Sequence, residues 1–186
     1  EARSPQDALD LGGRTVIPGL IDAHVHFCAY SLRREMVDIY ELPSLQETLN
    51  RIQARASVLS SGTWIRGGGW NCNLWQKGGF PTRADLDRVA PNHPTALSSK
   101  DGHSLWVNSR AMELAGIDAR TADVKGGAIF RDATGEPTGI LQENAMRLIY
   151  DLVPRPSDAE RLAACRRGMA YANQVGLTGI HNCEGA

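Results

Sequence analysis

The chain has 186 residues, a formal net charge of -1 and 22% charged residues, so it lacks the basic footprint needed to bind nucleic acid or an anionic membrane. An apolar fraction of 42% is enough to build a core and argues against disorder. The longest apolar stretch, over 15–30, is interrupted by Pro18, Gly19, Asp22, His24 and His26, whereas a membrane span needs roughly 20 mostly apolar residues.

The opening residues show no basic region followed by a small-residue cleavage site, as a secretory leader would. Cys28, Cys72, Cys165 and Cys183 lie far apart and form no CxxC pair. They read as reduced thiols, and the expectation is a cytoplasmic protein.

Residues 1–14 are polar and end near Gly12-Gly13, which suits a lead-in loop or a frayed edge strand. Residues 20–27 read as a short strand with both faces occupied, as in a buried parallel sheet. The first clear helix starts at Ser44, where Ser44 and Glu47 form a capping box. Leu45, Leu49, Ile52, Ala56 and Leu59 then draw one apolar stripe. A glycine-rich stretch over 64–70 and a polar loop over 71–79 follow, then a short helix over 81–90.

Strands are expected at 95–99 and 105–107, joined through the turn dipeptide Asp101-Gly102. Asn108 or Ser109 caps a helix that Gly116 stops. Residues 126–138 suit a hairpin, and 140–152 suit a helix with Leu141, Ala145, Leu148, Ile149 and Leu152 on one side. Ser157 and Glu160 make a second capping box, opening a helix over 157–175. Leu177-Thr178-Gly179-Ile180-His181 reads as a strand. Strand, crossover, helix and strand again is the grammar of a parallel α/β sheet.

The chemistry concentrates in Asp22-Ala23-His24-Val25-His26. Side chains two apart in a strand share a face, so His24 and His26 point together with Asp22 behind them. Two neutral imidazoles on one face can hold one divalent metal. The bland reading, histidines packed in a polar core, is outweighed here by the preceding Pro-Gly-Leu-Ile-Asp and by the apolar strand that carries the pair. Cys28 is read as a buried inert thiol, or as a third ligand of a structural zinc site. Gly67-Gly68-Gly69 is followed by no Gly-Lys-Ser/Thr, so it is not a phosphate loop. A Gly-x-Ser-x-Gly elbow is also missing.

The run Val16-Ile17-Pro18-Gly19-Leu20-Ile21-Asp22-Ala23-His24-Val25-His26 resembles the first barrel strand of the amidohydrolase superfamily. The stretches 64–70, 81–86, 100–108 (with its Asp101-Gly102-His103), 126–144 and 176–181 resemble one branch of it. That branch is the family-3 amidohydrolases, which include N-substituted formamide deformylases. The resemblance implies a metal site at the C-terminal mouth of a (β/α)8 barrel, with one or two metals, commonly zinc, activating a water against an amide C–N bond. It assigns His24 and His26 as metal ligands. It also implies further histidines, a bridging carboxylate and an aspartate base that these 186 residues do not place.

Glu143 matches an acidic position of the family and is the catalytic candidate; the alternative is a first-turn carboxylate that stabilises a helix N-terminus. His103 and Asp101 are candidate substrate contacts, with an exposed turn as the alternative for His103. Trp70, like Trp106, could wall a pocket or simply pack the core. His181 could face the barrel mouth, although the family more often has His-Asp where this chain has His181-Asn182.

A barrel of this kind needs about 250 residues. The fold expectation is therefore an α/β chain holding the first strands of a (β/α)8 barrel and a large α+β insertion after strand 1. Residues 1–41 would form the lead-in and first strand, 42–156 the inserted subdomain, and 157–186 a barrel helix and second strand. The functional expectation is a zinc-dependent hydrolase of small-molecule amides, possible as a homo-oligomer. Its rival is an inactive fragment that folds as a binding or self-associating module.

Overall fold

The computed structural model describes residues 9–76 and 78–184. In it β1 (Leu20–Val25) is followed at once by α1 (Phe27–Arg33), β2 (Val37–Asp38), α2 (Leu45–Ala56) and β3 (Ile65–Trp70). Next come α3 (Arg83–Asp87), β4 (Thr95–Ser99), β5 (Ser104–Val107), α4 (Ser109–Ala115), β6 (Gly127–Arg131) and β7 (Pro137–Glu143). The chain closes with α5 (Arg147–Tyr150), α6 (Asp158–Gln174) and β8 (Leu177–Asn182). The fold is α/β.

The strands form two sheets. β1 pairs in parallel with β8, with Leu20 opposite Leu177, Asp22 opposite Ile180 and Val25 opposite Asn182. The other sheet has six strands in the order β2-β3-β4-β5-β7-β6. In that sheet β2, β3 and β4 run parallel, and the pairs from β4 onward are antiparallel.

Both faces of the six-stranded sheet are covered. Leu97, Trp106 and Ile140 join one apolar cluster with Leu49, Ile52 and Leu86 from α2 and α3. Their neighbours Ala96, Leu105, Val107 and Leu141 join a second with Met112 of α4 and Ile149 of α5. This two-residue alternation is what a sheet buried on both sides requires. It also explains the difference at 140–152, where a helix was expected. Ile140 and Leu141 are both fully buried, in different clusters, so 140–143 extends as β7 and helical turns begin only at Asn144. A short apolar run fits either period, and pairing with β5 decides it.

The glycine-rich stretch is itself a strand. A Cβ on Gly67 would lie 2.2 Å from the Val37 carbonyl oxygen, and one on Gly68 would lie 2.0 Å from Ser98 Oγ. β3 thus uses glycine to let β2 and β4 approach. Pairing of β2 with β3 brings Val37 and Asp38 into this sheet, ahead of the boundary expected at 42.

Asn108 fastens β4 and β5 to α4. Fully buried, it accepts from the Thr95 and Ala111 amides and donates to the Ala90 and His93 carbonyls. At Ser157 the capping box is complete. At Ser44 the hydroxyl accepts from the Glu47 amide and also meets the Glu47 carboxylate. β1 differs from the buried strand expected. Leu20 is 52% and Ile21 65% exposed, and among the described residues β1 has one strand partner, β8.

Candidate functional site

His24 lies within β1, and His26 is the residue that caps α1. Their ring centres are 5.7 Å apart, with the planes at 73°. Two imidazoles sharing one ion at N–metal distances of about 2.0 to 2.1 Å would have ring centres roughly 5 to 6 Å apart, and the separation of this pair lies in that range. Among the described residues no group of three or more His, Cys, Asp or Glu side chains could hold a metal ion. His24 and His26 are the candidate ligands that the described residues offer.

Its scaffold comes from both ends of the chain. Asp22 Oδ1 accepts from the His24 amide at 2.9 Å, which pins the strand where the imidazole leaves it. α1 has no side-chain cap of its own at His26. Instead its first amides are taken by residues around the end of β8: Phe27 donates to Asn182 Oδ1 at 2.9 Å, and Cys28 and Ala29 donate to the Glu184 carboxylate. A carboxylate at a helix N-terminus is favourable electrostatically as well as by hydrogen bonding. The Cys183 amide donates to the Val25 carbonyl at 2.8 Å. His26 is thus held by contacts more than 150 residues away in sequence, and no local motif could have revealed them.

Helix α6 completes the support. A Cβ on Gly168 would lie 2.2 Å from Ser31 Oγ, so α1 and α6 touch almost backbone to backbone. Arg34 of the α1 C-cap stacks over the Tyr171 ring at 3.7 Å. Cys28 is half-buried beside Cys165, whose thiol is pushed up by burial first and by Cys28 second. His181 sits exposed in β8.

The second group of candidate residues lies on the six-stranded sheet. His103 Nδ1 is 2.9 Å from Glu143 Oε1, both side chains being exposed. The structure therefore brings His103 and Glu143 together. Glu143 ends β7 with φ at +50°, a region that disfavours side chains and costs on the order of 1–3 kcal/mol. Its amide donates to the His103 carbonyl, so the strained residue is held against the hairpin that carries His103.

Asp101 Oδ1 accepts from the Ser99 hydroxyl and the His103 amide. These two bonds, Ser99 first, hold the Asp101 carboxyl below its ordinary range. Trp70 is only 2% exposed and gives its indole N–H to the Leu97 carbonyl. It packs edge-on against Trp106 and Phe80, so it is a core residue that also borders a cavity. That cavity, about 490 Å³, lies beyond the C-terminal ends of β3 and β4 and is lined by Trp70, Phe80, Ser99, Asp101 and Gln142 among others. Lys100, at the same end, is paired with Glu41 and lies 5.1 Å from the Tyr40 ring centre.

The chain is an α/β protein with a candidate metal centre of two histidines at the C-terminal end of a parallel strand. A family model described as "Amidohydrolase family" matches residues 7–186, and the chain belongs to that family. It is 38% identical over 182 residues to the N-substituted formamide deformylase of Arthrobacter pascens, covering 94% of this chain and 33% of that protein. It is 34% identical over 180 residues to the putative amidohydrolase YtcJ of Bacillus subtilis, covering 96% and 34%. It is also 36% identical over 172 residues to the protein LONG AFTER FAR-RED 3 of Arabidopsis thaliana, covering 92% and 29%.

The chain thus spans about a third of the length of these relatives. Among solved structures, an uncharacterized metal-dependent hydrolase from Pyrococcus furiosus superposes with a TM-score of 0.61 at 22% identity, over 88% of this chain and 31% of that one. That likeness supports the α/β fold. Among the described residues no helix is long and apolar enough to cross a membrane.

Proposed function

We propose that this chain contributes the first metal-binding strand of a metal-dependent amidohydrolase that cleaves amide or formamide C–N bonds. The observation that carries the reading is the His24–His26 pair, 5.7 Å between ring centres at the end of a parallel strand, in a chain of the amidohydrolase family. In this reading β1 and β8 are neighbouring strands of a partial (β/α)8 barrel, and the six-stranded sheet is the insertion between them. His24 and His26 hold a divalent ion, zinc being the choice that imidazole donors suit. When bound, that ion supplies Lewis acidity toward a hydrolytic water and the amide carbonyl.

The chain's own residues set up the rest. Asp22 fixes the backbone at His24, and Asn182 with Glu184 fixes the helix end that follows His26. Glu143 is the candidate for moving a proton, with His103 at 2.9 Å as its partner; Asp101 and Trp70 border the space for substrate. The test is amine release from a panel of N-substituted formamides by the zinc-loaded full-length enzyme that contains this chain. His24→Ala should lower the rate by about 100-fold, since loss even of a group that only orients a metal ligand costs about 10- to 100-fold. An unchanged rate would contradict the assignment.

A second reading has its own observation. Val16, Ile17, Leu20 and Ile21, in β1 and the segment before it, are 73%, 65%, 52% and 65% exposed, and an exposed apolar patch favours self-association. In that reading the chain is a self-associating module without activity. Its mass in solution separates the two: a homo-oligomer broken by Ile21→Lys and inert toward formamides favours the module, and formamide turnover favours the enzyme.

A further inference from the structure

Helices α1 and α6 meet rung by rung. Gly168 of α6 lies against Ser31 of α1, where a Cβ would fall 2.2 Å from Ser31 Oγ and 3.2 Å from Phe27 Cζ. Three residues further along both helices, Arg34 lies over the Tyr171 ring at 3.7 Å. Three residues back along both, the Cys165 thiol interacts with the Cys28 thiol and with the Ser31 hydroxyl. Residues three apart share a helix face, so Cys28 and Cys165 form one rung of the seam that continues through Ser31–Gly168 and Arg34–Tyr171.

The glycine rung sets the spacing of this seam. Packed helices lie roughly 8 to 10 Å apart at their axes, and each Cα sits about 2.3 Å from its axis. Facing Cα atoms therefore come within about 6 Å of each other, and a disulfide joins Cα atoms roughly 4.4 to 6.8 Å apart. Both thiols are free and half-buried. Cys28 also borders a cavity of about 520 Å³ that it shares with His26, Cys183, Arg155 and Arg161, which gives a small oxidant a way in.

We propose that Cys28 and Cys165 are a redox latch, in which a hydroperoxide oxidises Cys28 and Cys165 then closes a disulfide that ties α1 to α6. The Cys28 sulfur takes one oxygen from the peroxide, the O–O bond breaks, hydrogen peroxide leaves as water, and Cys28 becomes a sulfenic acid. The Cys165 sulfur attacks the Cys28 sulfur, the S–O bond breaks, and a second water departs. Two thiols are oxidised and one peroxide is reduced, and a dithiol reopens the latch by exchange. Because α1 begins directly after His26, the closed latch fastens the base of that histidine to α6. It also stops Cys28 short of the irreversible sulfinic acid. None of this depends on the C–N hydrolysis proposed above.

The test uses the full-length enzyme that contains this chain, reduced, treated with hydrogen peroxide while folded, and blocked with N-ethylmaleimide before denaturation. Trypsin cuts after Arg14, Arg33, Arg161 and Arg166, so peptides 15–33 and 162–166 each carry one cysteine. Mass spectrometry should find these two peptides linked, lighter by two hydrogens than the free pair, and separated again by dithiothreitol. Cys165→Ser should lose the link and leave Cys28 open to dimedone, which traps sulfenic acids. Cys28→Ser should leave Cys165 reduced. Both cysteines still reduced after peroxide, Cys28 linked instead to Cys183 or another cysteine, Cys28 driven to sulfinic acid in the parent enzyme, or dimedone on Cys165 in Cys28→Ser would each overturn the proposal.

Discussion

Removing one side-chain oxygen from the end of β8 should loosen the helix that follows His26. The first four amides of an α-helix have no partner within it, and α1 meets this need with Asn182 for Phe27 and Glu184 for Cys28 and Ala29. Asn182→Ala deletes the 2.9 Å acceptor of the Phe27 amide and leaves the two Glu184 bonds in place. Loss of a cap of this type costs about 1 kcal/mol, a fall in melting temperature of about 2 to 4 °C for a domain of this size.

The effect should be local as well as global. Hydrogen exchange followed by NMR should show the Phe27 amide losing about fivefold protection, since 1 kcal/mol is about that factor. Asn182→Asp keeps an acceptor and adds charge at the helix end, but that charge shares the end with Glu184, so its stability should stay within about 0.5 kcal/mol of the parent. An Asn182→Ala variant with unchanged melting and unchanged Phe27 exchange would refute the idea that β8 holds the start of α1.

Other perturbations test other parts of the structure. Gly67→Ala would place a methyl 2.2 Å from the Val37 carbonyl oxygen, and denaturant unfolding should show a loss of about 1 to 3 kcal/mol. At Glu143, where φ is +50°, Glu143→Gly should be more stable than Glu143→Ala by about 1 kcal/mol, and both should lose formamide turnover; equal stability would argue that the position is unstrained. Asp101 has a folded pKa below its ordinary value, Ser99 being the main cause. Its contribution is present above the unfolded value and is lost as the pH falls through the folded one. NMR titration of the Asp101 carboxyl should therefore show a midpoint that rises toward the ordinary value in Ser99→Ala.

Much of the six-stranded sheet was legible in local signals. Asn108 and Gly116 bracket α4 as a cap and a left-handed stop, and the turn at Asp101-Gly102 joins β4 to β5. Those features depend on neighbouring residues, and so the sequence displays them. Features that depend on distant partners were hidden. α1 starts where Asn182 and Glu184 arrive from the other end of the chain, and β2 exists only because Gly67 leaves room for it.

The helix expected over 140–152 shows the same division. Ile140 and Leu141 satisfy a helical stripe on paper, yet β5 lies alongside and splits them between the two faces of a sheet. At the candidate site, the ring centres of His24 and His26 are 5.7 Å apart although only His24 lies within β1, His26 being the residue that precedes α1. The pairing of His103 with Glu143 across 40 residues needed the β5–β7 register.

The most direct test of the metal assignment is elemental analysis of the full-length enzyme that contains this chain after exposure to zinc and exhaustive dialysis, with the His24→Ala/His26→Ala double variant treated identically. Zinc retained by the parent enzyme and missing from the double variant is the expected result. Zinc retained equally by both would show that His24 and His26 are not the ligands, and the assignment of β1 as a metal-binding strand would fall.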